Sequence, residues 1–288
     1  MQIDAPNTVS ATMQSPSSKN KLEAIGLKAG YDLNAVVVNI NLSVQRSKVT
    51  VLAGPNGCGK STVIKVLARQ LKPIEGSVQL DGADVHSMPG ETFAKKVAYV
   101  PQSIDFSNEL TVEEVVRLGR NPHQKWWSWT ESEADAEATH AAIAKAGLNG
   151  LEKRPFTNLS GGEQKRALIA TALAQEPAFI LMDEPIAHLD FKHQLSLLSL
   201  IAELKEKSIG ILLVLHDLNM IDRIADEIAL LLPQSDKPSE VYAIGQKDEI
   251  LSPENIATVF DVSVSIFPDS SSQGRHFSIE EKTKANRT

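Results

Sequence analysis

The chain of 288 residues contains one cysteine, Cys58. A lone thiol cannot close an intrachain disulfide, so the fold must hold by packing alone, and the expected setting is the reducing cytoplasm. Long apolar runs are also missing. Stretches such as Ile211 to Leu215 and Ile228 to Leu232 stop far short of the roughly 20 residues that a membrane-spanning helix needs. Basic residues do not predominate: 29 Lys and Arg face 36 Asp and Glu, for a net charge of -7 and a pI near 5.6. That balance argues against a broad electrostatic grip on nucleic acid or anionic lipid. Any membrane association is therefore expected to run through a protein partner. Collagen-like, prion-like and repeat patterns are absent. Residues 1–20 lack a basic stretch followed by an apolar core, so they do not read as a secretion signal, and they are expected to form a disordered tail.

What is present suits a globular protein: 42% of residues are hydrophobic and 23% charged. The length fits one large α/β domain with an inserted lobe as well as it fits two domains. LEAIGLKAGYD and VVVNINLSV predict strands of a small antiparallel sheet, and the apolar run Lys48 to Ala53 predicts a strand that feeds Gly54 to Thr62. STVIKVLARQL then has helical apolar spacing. SVQLDG and VAYVPQ predict further strands. Between about residues 103 and 165 the texture turns helical, in LTVEEVVRLGR and SEADAEATHAAIAKAGL, with Thr111 and either Thr130 or Ser132 as N-caps and Gly147 as a stop. FILMDEP and GILLVLHD are short apolar runs that suit a parallel sheet covered on both faces. EVYAIG predicts another strand and PENIATVF a short helix. The main domain is placed at 21–268, and 269–288 are expected to form a flexible tail.

GPNGCGKS, comprising Gly54, Pro55, Asn56, Gly57, Cys58, Gly59, Lys60 and Ser61 and followed by Thr62, satisfies G-x-x-x-x-G-K-[ST] between a strand and a helix. Glycines let backbone N–H groups wind around phosphate oxygens, and the next helix aims its positive end at them. Lys60 is placed to reach the β and γ phosphates and Ser61 to offer a hydroxyl to Mg²⁺. The alternative is a glycine-rich turn without a ligand, which leaves the flanking strand and helix unexplained. Kinases, GTPases and many ATPases share this loop. FILMDEP then supplies Asp183 as an acidic partner for Mg²⁺ and Glu184 to polarise an attacking water. Taken alone, such an acidic pair more often ends a solvated loop.

LSGGEQKR, Leu159 to Arg166, resembles the signature sequence of ABC-type ATPases, a resemblance that extends from about Leu22 to Phe267. It implies a P-loop α/β core with an antiparallel β subdomain and an inserted helical subdomain. It also implies that ATP is bound with Mg²⁺ and hydrolysed. Ser160, Gly161, Gly162 and Glu163 would form a second phosphate cradle covering the nucleotide of another copy, while Ser160 and Glu163 also read as a capping box. By the same resemblance Gln102 looks like the Q-loop glutamine that reaches Mg²⁺ or the water. His216 looks like the switch histidine at the γ-phosphate, and Asp190 like the D-loop aspartate near the dimer seam. Tyr31 resembles the aromatic residue that stacks on adenine, with core packing as its other role. Ile186 and Ala187 depart from the commoner Thr-Ser or Thr-Ala of the D-loop.

One P-loop and one signature per chain imply a homodimer on membrane permease subunits, with a substrate-binding protein as an indirect partner and no nucleic acid. The implied location is peripheral, on the cytoplasmic face of the membrane. VVRLGRNPHQ, FKHQLSLLSLI and PENIATVFDVSVSIFPD resemble the branch that imports ferric siderophores, haem and cobalamin, with a ferric siderophore as the first choice. Non-transport members of the class and small-molecule kinases are the alternatives. The former usually carry two cassettes or a coiled-coil arm, and the latter leave LSGGEQKR without a role. Two roles stay open for Trp126, Trp127 and Trp129: internal packing, or part of the groove for a channel helix. His188 and His193 are assigned to the D-loop and a helix face, and no zinc or redox site is expected.

Overall fold

The computed structural model describes residues 20–32, 34–104, 110–124, 132–187, 189–235, 237–268 and 274–281. Residues 1–19, the three tryptophans, Thr130 and His188 lie outside the described residues.

In chain order, β1 (Lys21–Tyr31), β2 (Asn34–Gln45) and β3 (Val49–Ala53) precede α1 (Lys60–Leu67). Next come β4 (Glu75–Leu80), β5 (Ala83–Asp84), α2 (Gly90–Ala94) and β6 (Val97–Val100). A helical section holds α3 (Val112–Arg117), α4 (Glu133–Lys145) and α5 (Gly161–Ala174). β7 (Phe179–Asp183), α6 (Phe191–Glu206), β8 (Gly210–Val214) and α7 (Leu218–Ile224) resume the alternation. The chain then runs through β9 (Glu227–Gln234), β10 (Lys237–Gln246), α8 (Lys247–Ile250) and α9 (Pro253–Phe260) to a hairpin of β11 (Val262–Pro268) and β12 (Arg275–Glu281).

Strands β1 to β10 form one sheet in the order β5-β4-β1-β2-β10-β9-β3-β8-β7-β6. β9, β3, β8, β7 and β6 run parallel, whereas β5, β4, β1 and β2 are antiparallel. β10 pairs antiparallel with β9 and joins the two parts through a bridge to β2, Ser239 to Val37. Alternation explains why the parallel strands read as unbroken apolar runs. Val51, Ile180, Met182, Ile211 and Leu213 face a core shared with α5 and α6. Leu52, Phe179, Leu181, Leu212 and Val214 face a second core, filled by α1 and by Leu22, Leu27 and Ile40 of the antiparallel part. In α1, Val63, Ile64, Val66 and Leu67 are all fully buried, each worth roughly 1.5–3 kcal/mol of transfer free energy. That burial fixes the helix directly behind the glycine-rich loop.

The helical section is capped as its sequence implies. Thr111 and Glu114 make a capping box on α3, and the Ser132 side chain accepts from Asp135 N at the start of α4. Within it Arg120 is buried, donating to Asp135 at 2.9 Å and to the carbonyl of Ala174, the last residue of α5, at 2.6 Å.

The expectation of a flexible tail over 269–288 needs correction at Arg275–Glu281, which is strand β12 paired antiparallel with β11. The reason is specific pairing. Arg275 donates through N, Nε and Nη2 to the carboxylate of Asp222, itself 2% exposed on α7, and Phe277 is buried in the core.

Candidate functional site

β3 ends at Ala53 and the chain turns through the glycine-rich loop into α1. Gly59 makes that turn at φ 91°, a left-handed conformation that side chains resist, and a Cβ there would stand 2.5 Å from Val37 Cγ1. No side chain caps α1, so its first N–H groups are open to an anion. Lys60, 5% exposed, folds back over the loop and donates to the carbonyls of Gly54 at 2.9 Å and Pro55 at 2.8 Å. Burial pushes the Cys58 thiol up despite the Lys60 ammonium beside it, so Cys58 contributes a neutral side chain and its backbone.

The five buried residues of β7 deliver two carboxylates to the same place. Ser61 Oγ donates to Asp183 Oδ1 at 3.3 Å. Glu184 follows with φ 46°, an unfavourable conformation of the kind that clusters at functional sites. Its Oε2 accepts from Gln102 Nε2, just beyond β6, at 2.8 Å. Burial raises the Asp183 carboxyl; the Ser61 hydroxyl opposes that shift and the neighbouring Glu184 charge adds to it.

Most of these side chains line one open groove of about 410 Å³, while Asp183, 3% exposed, stands behind it and is reached through Ser61. Tyr31, Asn56, Gly57, Gly59, Lys60, Ser61, Thr62, Gln102 and Glu184 all reach it, as does Val36. Gly54, Pro55 and Cys58 lie in the loop beneath. Tyr31, at the end of β1, is 47% exposed, which leaves a ring face available for stacking. A larger cavity of about 630 Å³ lies at the opposite end of the parallel strands, where β3 and β9 begin. Its charges are largely paired with one another, as in Lys48 with Glu227 and Lys205 with Asp226, both at 2.6 Å, and it holds none of the motifs.

Other expected residues are brought together elsewhere. Ser160 caps α5 in a full box with Glu163: its hydroxyl accepts from Glu163 N at 3.3 Å, and its own N donates to Glu163 Oε2 at 2.8 Å. Hydrogen bonds from the Ser160 backbone and hydroxyl hold the Glu163 carboxyl below its ordinary value. Asp190 caps α6, accepting from His193 N at 2.9 Å. The two caps adjoin, because a Cβ on Gly162 would meet Leu189 Cδ2 at 3.4 Å and His193 Nδ1 at 3.5 Å. Neither Ser160, Gly161, Gly162, Glu163 nor Asp190 lines the groove. His216 is exposed two residues past the end of β8, just before Asp217 caps α7.

Sequence reasoning assigned no role to Lys165. Its Nζ donates to the carbonyls of Pro101 at 3.1 Å and Gln102 at 3.0 Å. Burial lowers its pKa to about 8, with Asp183 and Glu184 acting in the opposite direction. A basic residue inside LSGGEQKR was visible, but its partners, more than sixty positions away, were not.

A family model described as ABC transporter matches residues 37–187, a span that holds the P-loop, Gln102, the signature turn and both carboxylates but not Tyr31, Asp190 or His216. The achromobactin transport ATP-binding protein of Dickeya dadantii is 38% identical over 245 residues, 84% of this chain and 88% of that protein. The iron(3+)-hydroxamate import ATP-binding protein of Bacillus subtilis is 37% identical over 251 residues, 87% of this chain and 91% of that protein. Among solved structures, a dimeric bacterial ABC transporter cassette superposes with a TM-score of 0.66 at 26% identity, covering 78% of this chain and 98% of that one.

Proposed function

The chain belongs to the ABC transporter family and is an ATPase of it, and from that premise we propose that it works as a homodimer on a membrane permease, energising uptake of a ferric siderophore. The observation that carries the reading is the division of its motifs. The P-loop, Gln102 and Glu184 share one groove, while the signature turn lies outside it, so a complete site takes one part from each of two copies.

In the first part, Lys60 exchanges the carbonyls of Gly54 and Pro55 for β and γ phosphate oxygens, beside the uncapped N-terminus of α1. The ring of Tyr31 stacks on adenine at the mouth of the groove. Mg²⁺ fits the donors at hand, since the Ser61 hydroxyl, the Asp183 carboxylate and the amide oxygen of Gln102 are the hard oxygen ligands it prefers. When bound it supplies positive charge against the phosphates. Glu184 orients and polarises the attacking water once Gln102 releases its carboxylate. His216 contacts the γ-phosphate. The second part comes from the other copy, whose Ser160, Gly161, Gly162 and Glu163 seal the triphosphate at the start of α5, with Asp190 at the seam. Closing and opening of that seam moves the permease, and a substrate-binding protein supplies cargo from the other side. The chain then sits peripherally on the cytoplasmic face of the membrane; among the described residues no helix is long and apolar enough to cross it.

The cargo reading is supported by relatives named for achromobactin and iron(3+)-hydroxamate. The test is uptake of labelled ferric siderophores, haem and cobalamin by cells lacking this subunit, supplied with the parental chain or Lys60→Ala. Siderophore uptake restored by the parental chain alone is the expected result. Equal restoration by Lys60→Ala would remove ATP from the reading, and restoration of haem or cobalamin uptake instead would reassign the cargo.

A further inference from the structure

Lys165 lies on the buried face of α5, 6% exposed, four residues beyond the first residue of that helix. An ammonium group is costly to bury unless its donors are met, and an apolar side chain would fill the position without that cost. What the lysine adds is a tie. Nζ donates to two consecutive carbonyls, those of Pro101 and Gln102, at 3.1 and 3.0 Å. Two peptide planes converging on one ammonium fix the backbone on both sides of the Gln102 Cα, and so the direction in which its side chain leaves. That side chain ends 2.8 Å from Glu184 Oε2.

We propose that Lys165 is a positioning residue: it binds the signature helix to the backbone of Pro101 and Gln102 and thereby sets the Gln102 amide relative to Glu184. Movement of α5 must then either carry Gln102 with it or break both hydrogen bonds. The same helix opens at Ser160, so contact between a partner copy and the signature turn is transmitted inside the receiving chain to its own water-polarising carboxylate. This rests on the roles given above to Gln102 and Glu184. It adds a connection within one chain between two parts that serve different nucleotides.

The test is steady-state ATP turnover of the purified full-length chain as Lys165→Met, Gln102→Ala and the double variant, with nucleotide binding and thermal melting followed in parallel. Lys165→Met is expected to lower kcat about tenfold with KM for ATP within about twofold, since small misplacements of reacting groups cost up to about 10²-fold. Lys165→Gln, which offers an uncharged donor, should fall between it and the parental chain, and it carries the comparison if the methionine variant does not fold. In the Gln102→Ala background, Lys165→Met should lower kcat by less than about twofold, because coupled residues are not additive. Full additivity, or a raised KM with unchanged kcat, overturns the tie alone. A parental rate in Gln102→Ala would instead overturn the reading of the site, and the tie with it.

Discussion

The P-loop turn and the signature turn both use glycines to enter a helix, but they are built in opposite ways. α1 starts uncapped from Gly59, pressed against Val37, with Lys60 and Thr62 buried behind it. α5 starts from a closed capping box with Ser160 and Gly161 exposed, and a Cβ on Gly161 would meet nothing within 4 Å. One turn therefore leaves backbone donors open inside a fixed cradle, while the other satisfies its donors locally and faces solvent. A ligand can be gripped by the first alone. The second gains a use only when something is brought to it, which is what the proposed division of the site between two copies requires.

The largest effect expected is on turnover. Glu184→Gln should retain ATP binding while losing about 10²–10³-fold in kcat, the scale typical of removing one electrostatic group from an active site, and should accumulate an ATP-bound dimer in sedimentation. The division itself is tested by mixing Lys60→Ala with Ser160→Arg. Each variant alone should be inactive and the mixture should recover turnover; no recovery would break the comparison.

Gly59→Ala comes next. The strained φ and the approach to Val37 should cost roughly 1–3 kcal/mol in chemical denaturation and weaken ATP binding, whereas Gly161→Ala should stay within about 0.5 kcal/mol. Equal losses at both would erase the distinction between a packed cradle and an open one. Ser160→Ala should cost about 1 kcal/mol through loss of the cap, and Ser160→Thr should restore that stability. Turnover that returned with stability in Ser160→Thr would make capping a sufficient account of Ser160.

The smallest effect is an acid shoulder. Because the Glu163 carboxyl is held below its ordinary 4.5, its box contributes stability above that value, and the contribution fades as pH falls through the lowered one. Melting curves of the parental chain and Glu163→Gln should therefore converge in that acid window.

Features set by neighbours in sequence are legible in the sequence alone. The P-loop needs only a strand, its glycines and a helix, and Ser160 with Glu163 announces a cap three residues long. The parallel strands read correctly because burial on both faces leaves no polar alternation to mislead. What escaped depends on distant partners. Lys165 looks like a surface residue of its helix until Pro101 and Gln102 arrive from the turn after β6, and nothing local announces the left-handed backbone of Glu184. β12 looks polar because its anchor, Arg275, is charged, and only Asp222 explains why that charge is drawn inward.

The latch between Arg275 and Asp222 also orders events during synthesis. The Asp222 carboxylate, 2% exposed once β12 is packed, pairs with a guanidinium made 53 residues later, so every shorter nascent chain holds this acid without that counter-ion. Translation that halted before β12 would leave α7 without the strand that covers it and ties it down, and such fragments should be cleaved by proteases faster than the finished chain.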